Sequence, residues 1–177
     1  AANCYLDYSE SNKEGIIIDP GGDADDIIAE IKNLGLDIKY IILTHGHGDH
    51  IAGVREIKEY TNAPVAIHKD DEHLLKNGKD NLSSIMAMGA VELTADILLD
   101  DEDEISFGNL NAKILHTPGH TPGGISIKIE NSIFTGDTLF AGSIGRTDFE
   151  GGSFEDIINS IKNKILEYPE DTVVYPG

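Results

Sequence analysis

The chain has 177 residues, 40% hydrophobic and 25% charged, and 13 Lys and Arg against 32 Asp and Glu give it a net charge of −19. That length suits one globular domain with its own apolar core, and the acidic balance disfavours nucleic-acid phosphates and anionic membrane surfaces as partners. The single cysteine, Cys4, excludes an internal disulfide and reads as a small buried hydrophobe on a first strand. No apolar run reaches the ~18 residues of a membrane span, and no basic-then-apolar leader opens the chain. By elimination the expected location is cytoplasmic. The sequence opens mid-pattern at Ala1 and stops at Pro176-Gly177 just after an apolar run, so both ends read as cut.

In chain order, Ile16-Ile17-Ile18 is a β-branched run broken by Asp19-Pro20-Gly21-Gly22, a strand followed by a turn. Ile27, Ile28, Ile31 and Leu34 fall at helical spacing, with Asp23 placed as an N-cap and Gly35 as a C-terminal stop. Ile38 to Leu43 is the next strand, Ile51 to Tyr60 a helix, Val65 to Ile67 a short strand and Asp70 to Lys76 a short helix. Residues 77–90 are rich in Gly, Asn and Ser and predict a surface excursion. Strands dominate from Val91 to Phe134: Ile105 to Phe107, Ala112 to Leu115, Ile125 to Ile129 and Ser132 to Thr135, the last two joined by a tight turn at Glu130-Asn131. Phe154 to Leu166 is an amphipathic helix and Thr172 to Tyr175 a final strand. The mixture predicts an α/β layered fold with helices outside sheets.

Directly after the apolar run Ile41-Ile42-Leu43 comes Thr44-His45-Gly46-His47-Gly48-Asp49-His50. Three imidazoles and a carboxylate within six positions suit zinc, iron or manganese. Gly46 and Gly48 let the backbone sit close to a metal without side-chain obstruction. The simplest geometry assigns His45 and His47 to one metal, and Asp49 and His50 to a second. His120 and Asp137 stand at the ends of other strands, and Asp137 is the natural bridge because a carboxylate can span two ions. A closed structural zinc site would need only four ligands, often with Cys; six candidates exceed that. His68 and His73 read as solvated or locally hydrogen-bonded. His116 reads as a packing or supporting residue. Asp19 is either a turn-capping residue or a carboxylate that orients a ligand histidine.

These residues together resemble the metallo-β-lactamase superfamily over nearly the whole chain. The 44–50 run is similar to its T-H-x-H-x-D-H signature, and Thr117 to Gly123 and Thr135 to Phe140 resemble the loops that supply its next histidine and its bridging aspartate. Ala141 to Phe149 is similar to the small glyoxalase II-like (hydroxyacylglutathione hydrolase-related) enzymes, and partly to persulfide dioxygenases. The resemblance implies a four-layer αβ/βα sandwich, a single domain over 1–177 without the C-terminal glutathione-binding helical region of full-size glyoxalase II. It implies two divalent metal ions, zinc first, with iron or manganese as alternatives. His45, His47 and His120 would hold the first, Asp49 and His50 the second, with Asp137 between them. The family's last second-site ligand is a histidine after a Pro-Gly pair, and here Pro176-Gly177 ends the sequence, so that ligand is lacking.

The implied reaction is hydrolysis of a small-molecule thioester such as S-lactoylglutathione by attack of a metal-bound hydroxide, with Asp49 and Asp137 as catalytic carboxylates. Arg146 would anchor a substrate carboxylate, with Phe149 beside it. The alternative is a persulfide dioxygenase with a mononuclear iron site. A β-lactamase role is disfavoured, since no secretory leader is read and Asp49 sits where those enzymes usually differ. Oligomeric state is left open.

Overall fold

A computed structural model describes residues 2–87 and 89–177; Ala1 and Met88, which fall in the opening and in the 77–90 excursion, lie outside them. Two five-stranded sheets face each other. The first runs β1 (Tyr5–Tyr8), β2 (Glu14–Ile18), β3 (Asp37–Ile42), β4 (Val65–His68), β5 (Ile97–Leu99). Its first pair is antiparallel and the other three are parallel. Parallel neighbours need a crossover. Between β2 and β3 it is α1 (Ala24–Leu34). Between β3 and β4 it is α2 (Gly48–Ile51) followed by α3 (Val54–Thr61).

The second sheet comprises β6 (Glu104–Phe107), β7 (Leu110–His116), β8 (Ile125–Ile129), β9 (Ser132–Gly136) and β12 (Val173–Pro176). Its order is β12-β9-β8-β7-β6, and only the β12–β9 pair is parallel. A small antiparallel ribbon, β10 (Leu139–Phe140) with β11 (Ser143–Ile144), and α5 (Phe154–Ser160) separate β9 from β12. The short helix α4 (Glu72–Leu75) follows β4.

Strand alternation explains the layers. Side chains at i and i+2 share a face. Ile16 and Ile18 therefore point between the sheets, with Ile42, Ile114, Ile125, Ile127, Ile129 and Phe134, while Ile17 points out against the helices. Ile17, Ile41, Leu43, Val65 and Ile67 bury the stripe of Ile31, Ile51, Val54 and Ile57. On the opposite outer face Leu115 and Ile133 receive Ile157, Ile161 and Ile165. The result is the four-layer αβ/βα arrangement expected above.

Several elements differ from expectation. The helix predicted from Ile51 to Tyr60 is two helices, because Gly53 donates to the Pro20 carbonyl (2.7 Å) and the chain turns there. Asp23 occupies the N-cap position of α1 but in a left-handed conformation (φ 52°), and its side chain caps nothing. Gly35 does end the helix, at φ 67°. Asp70 to Lys76 divides into a 3₁₀ turn, Lys69–Asp71, and α4. The excursion over 77–90 is not all surface: Asn81 and Ser83 are fully buried, and the Asn81 amide donates to the carbonyls of Leu74 and Val91. Strand β5 and the β10–β11 ribbon were not anticipated. The amphipathic helix holds as α5, capped by Ser153 accepting from the Asp156 N–H, then widens into a π-turn over Ile161–Ile165. Cys4 precedes β1 and packs against the helix-side core. Among the described residues no helix is long and apolar enough to cross a membrane.

Candidate metal centre

The loops after β3, β7 and β9 leave their strands at one edge of the paired sheets, and the backbone ties them together. The Ile125 N–H at the start of β8 donates to the Thr44 carbonyl (2.9 Å), joining the two sheets directly beside the signature. At the end of β2, Asp19 is buried and accepts from the Thr44 N–H (2.8 Å) and the Thr44 hydroxyl (2.6 Å). Its Oδ2 also lies 2.8 Å from His50 Nδ1, so the carboxylate fixes the ring and leaves Nε2 facing inward.

Four imidazoles and two carboxylates converge there. Single donor atoms of His45, His47 and His120 lie within 4.8 Å of one another, as do those of His45, Asp49 and His50. Asp137 Oδ2 stands 3.7 Å from His45 Nε2, 3.2 Å from His50 Nε2 and 3.4 Å from His120 Nε2. His47 Nδ1 and His120 Nε2 face each other at 3.1 Å. His120 is oriented from behind, where its Nδ1 meets the Arg146 carbonyl at 2.8 Å. His45 Nε2 is buried with no hydrogen-bond partner. A buried ring nitrogen without a partner costs free energy in a purely protein setting. Facing the Asp137 carboxylate at 3.7 Å in a cluster of imidazoles, it fits a cation that accepts its lone pair.

The charges agree with that reading. Burial, then the neighbouring rings of His50 and His120, hold His45 well below the ordinary imidazole range. Burial and the same kind of crowding lower His47 to about 4. Both rings are therefore neutral and ready to donate lone pairs at pH 7. Burial also disfavours a charge on His50, but Asp19 and Asp137 overcome it and raise the ring to about 10. Burial works to raise Asp137, and the surrounding imidazoles outweigh it and lower its carboxyl.

A pH dependence follows for the metal-free protein. Unfolding exposes His45 and His47 to water, where they take up protons near 6.5, while the folded rings refuse them down to about 4 for His47 and below the ordinary range for His45. Stability is thus expected to fall as pH drops from 6.5 toward 4, and His68, also lowered by burial, adds to the slope of the pair. His50 is charged in both states at the acid end of that window and opposes the slope only near 6.5; its contribution is lost as pH rises from 6.5 through about 10. Asp71 and Asp7, both raised by burial, oppose it. Denaturation midpoints of chelator-treated protein between pH 4 and 7 measure this, and a flat profile would contradict the neutral buried pair.

Gly46 and Gly48 are also required by packing. A Cβ on Gly46 would lie 2.7 Å from Leu74 Cβ, and one on Gly48 would lie 2.7 Å from Ser83 Cβ. The glycines admit the 70s segment and the buried part of the 77–90 loop against the signature.

His116 sits outside the centre. Its Nε2 donates to the Pro122 carbonyl (2.9 Å) and its ring stacks on His68 at 4.1 Å and 7°. His68, His116 and Asp70 form a third donor group within 4.8 Å. Its two ring planes are parallel, so their in-plane lone pairs do not meet at one point. His68 is buried and accepts the Asp70 N–H, while His73 is exposed. The Arg146 guanidinium makes a two-pronged contact with Asp148 (2.7 and 2.6 Å) and lies over the Phe149 ring at 4.0 Å; Phe149 in turn meets His47 edge-on at 5.8 Å. Gly177 donates to the Gly136 carbonyl (2.7 Å), and a Cβ there would meet Asp137 Oδ1 and His50 Cε1 at 2.5 and 2.8 Å, so the second donor set lies against the last residue of the chain. One buried carboxylate of this region, Asp71, was not singled out from sequence, since its partners lie 25 to 52 residues away.

Fold and site together define a metallo-hydrolase-type α/β sandwich. The metallo-beta-lactamase superfamily model matches residues 1–177, and the chain belongs to that superfamily. Among its relatives is the protein named hydroxyacylglutathione hydrolase GloC of Haemophilus influenzae, 36% identical over 99% of this chain and 84% of the relative. Among solved structures, the BLEG-1 B3 metallo-beta-lactamase is 39% identical with a TM-score of 0.93, covering 99% of this chain and 86% of that one. TTHA1623 in a di-iron-bound form is 32% identical with a TM-score of 0.86, at 99% and 86% coverage.

Proposed function

We propose that the chain is a two-metal hydrolase of small-molecule thioesters, with S-lactoylglutathione or a related acyl thiol as substrate. The observation that carries this reading is the convergence of four imidazoles and two carboxylates around the partnerless His45 Nε2. Divalent ions bound there supply Lewis acidity and a water acidified toward neutral pH. His45, His47 and His120 would hold one ion and Asp49 and His50 the other, with Asp137 available to both. Zinc suits the imidazole-rich set, and iron is the alternative that the di-iron relative supports.

The other roles belong to this chain's side chains. Asp49, with its side chain about one third exposed (34%), is the carboxylate able to exchange a proton with attacking water. Asp19 holds His50 in one tautomer, as a partner behind a ligand histidine does. Thiolate is a good leaving group, so no strong acid is required. Burial and Asp19 raise the Cys4 thiol to about 12, which keeps it out of the role of nucleophile. Arg146 anchors a substrate carboxylate by exchanging it for Asp148, and Phe149 lines the approach to His47. A cytoplasmic setting goes with a glutathione-linked substrate and a free cysteine.

The likeness to a B3 metallo-beta-lactamase makes β-lactam hydrolysis the second reading. S-lactoylglutathione and a chromogenic cephalosporin, assayed on one sample whose metals are counted, separate the two. Thioester turnover with about two metals per chain, exceeding cephalosporin turnover by orders of magnitude, is the expected result. Preference for the cephalosporin would overturn it. A single iron with oxygen uptake on glutathione persulfide would replace it with the dioxygenase.

A further inference from the structure

We propose that Asp71 is a positioning residue for the three-imidazole site, acting through the backbone of Gly46 and the turn that follows His120. Asp71 is completely buried. Its Oδ2 accepts from the Gly46 N–H (3.1 Å) and the Thr121 hydroxyl (2.7 Å), and its Oδ1 accepts from the Gly123 N–H (2.6 Å). Gly46 is the residue between His45 and His47, and Thr121 is the residue after His120. One carboxylate therefore clamps the loop bearing two of the imidazoles to the loop bearing the third, and those loops leave strands of different sheets.

A buried carboxylate is costly unless donors surround it. Three donors do so here, and among the described residues no Lys or Arg is paired with it. The packing is close on both sides. A Cβ on Gly123 would lie 2.5 Å from the Asp71 nitrogen and 2.8 Å from its side chain, and one on Gly46 would lie 3.4 Å from the Asp71 carbonyl oxygen. The arrangement parallels that of Asp19, which braces the other donor set at His50 Nδ1. Asp19 touches a ring, whereas Asp71 fixes the separation of backbones from which the rings project. Asparagine fits the space but turns an NH₂ toward a donor.

The test is a cobalt titration of metal-free Asp71→Asn and Thr121→Val in competition with a chromophoric chelator, alongside the parent chain. Partners behind metal ligands are worth about 10–100-fold in affinity. Asp71→Asn is expected to lose that much for the first Co²⁺ and to change the position and intensity of its visible bands. Thr121→Val, which removes one donor and leaves the carboxylate, is expected to move both readouts in the same direction by a smaller factor, and it decides the matter if Asp71→Asn fails to fold. A change in folding midpoint alone, with parental affinity and parental bands in the folded variants, would show a merely structural carboxylate and overturn the proposal. The inference rests on the metal reading of the site: a parent chain that takes up no Co²⁺ overturns both, and unaltered variants of a parent that binds overturn this one alone.

Discussion

Asp137→Ala is expected to abolish hydrolysis and to lower the bound metal below the parental count. The carboxylate is the one acidic group within 3.7 Å of three of the four converging imidazoles, with Oδ2 closest to His50 Nε2. In the proposed two-metal site, removing it takes a shared ligand from both donor sets at once. It also takes away one of the two anions that keep His50 charged in the metal-free state. The loss of several kcal/mol of transition-state stabilisation corresponds to a fall of about 10³-fold or more in kcat. Asp137→Asn keeps the shape and one oxygen but not the charge, and should retain more metal than the alanine variant while remaining far below the parent in rate. Metal counts and single-turnover rates on the same preparations check this. An alanine variant with full activity after metal depletion would remove the centre from the mechanism altogether.

What was legible in the sequence is what depends on local chemistry and period. Ile16-Ile17-Ile18 reads as a strand because β-branched residues crowd a helix, and its alternation puts Ile17 on one face and its neighbours on the other. The 44–50 run is readable because few folded structures require that density of imidazole after an apolar strand. Asp19 and His120 follow from their positions at strand ends, and the structure brings both to the cluster. His116, four residues before His120, shows the limit of that logic: it lies at the end of the same strand but faces His68.

The parts that were not legible are contacts between segments far apart in sequence. Gly53 interrupts an otherwise amphipathic helical pattern because the Pro20 carbonyl needs its N–H, and nothing near Gly53 announces that. The approach of Leu74 to Gly46 and of Ser83 to Gly48 is such a contact. Strands as short as β5 carry too few residues for a period to show. Asp71 looks like any acidic residue opening a short helix; its three donors come from positions 46, 121 and 123, and only the tertiary fold collects them.

Gly145→Ala carries this reasoning into a second large effect. Gly145 is buried, and its N–H donates to the Thr138 carbonyl (3.2 Å) at the point where the β10–β11 ribbon folds back over the β9 loop. A Cβ built there overlaps the Asp137 carbonyl oxygen outright and comes within 3.5 Å of His120 Nδ1. Because the obstruction is backbone, a side-chain rotation cannot relieve it. The segment after Asp137 must move away from the residues 145–149 run, and the Arg146 carbonyl that holds His120 Nδ1 moves with it. Overpacking of this kind costs about 1–3 kcal/mol of stability. The functional loss should be larger than the stability loss, since one methyl group displaces the Asp137 carboxylate and the orientation of the His120 imidazole together. The expected variant is folded, with a lowered thermal midpoint, weakened metal binding and a rate close to that of Asp137→Ala. Serine should behave like alanine, because the obstruction is at Cβ. Parental metal affinity and rate in Gly145→Ala would mean that Asp137 and His120 reach the centre by a backbone path other than the one the structure shows.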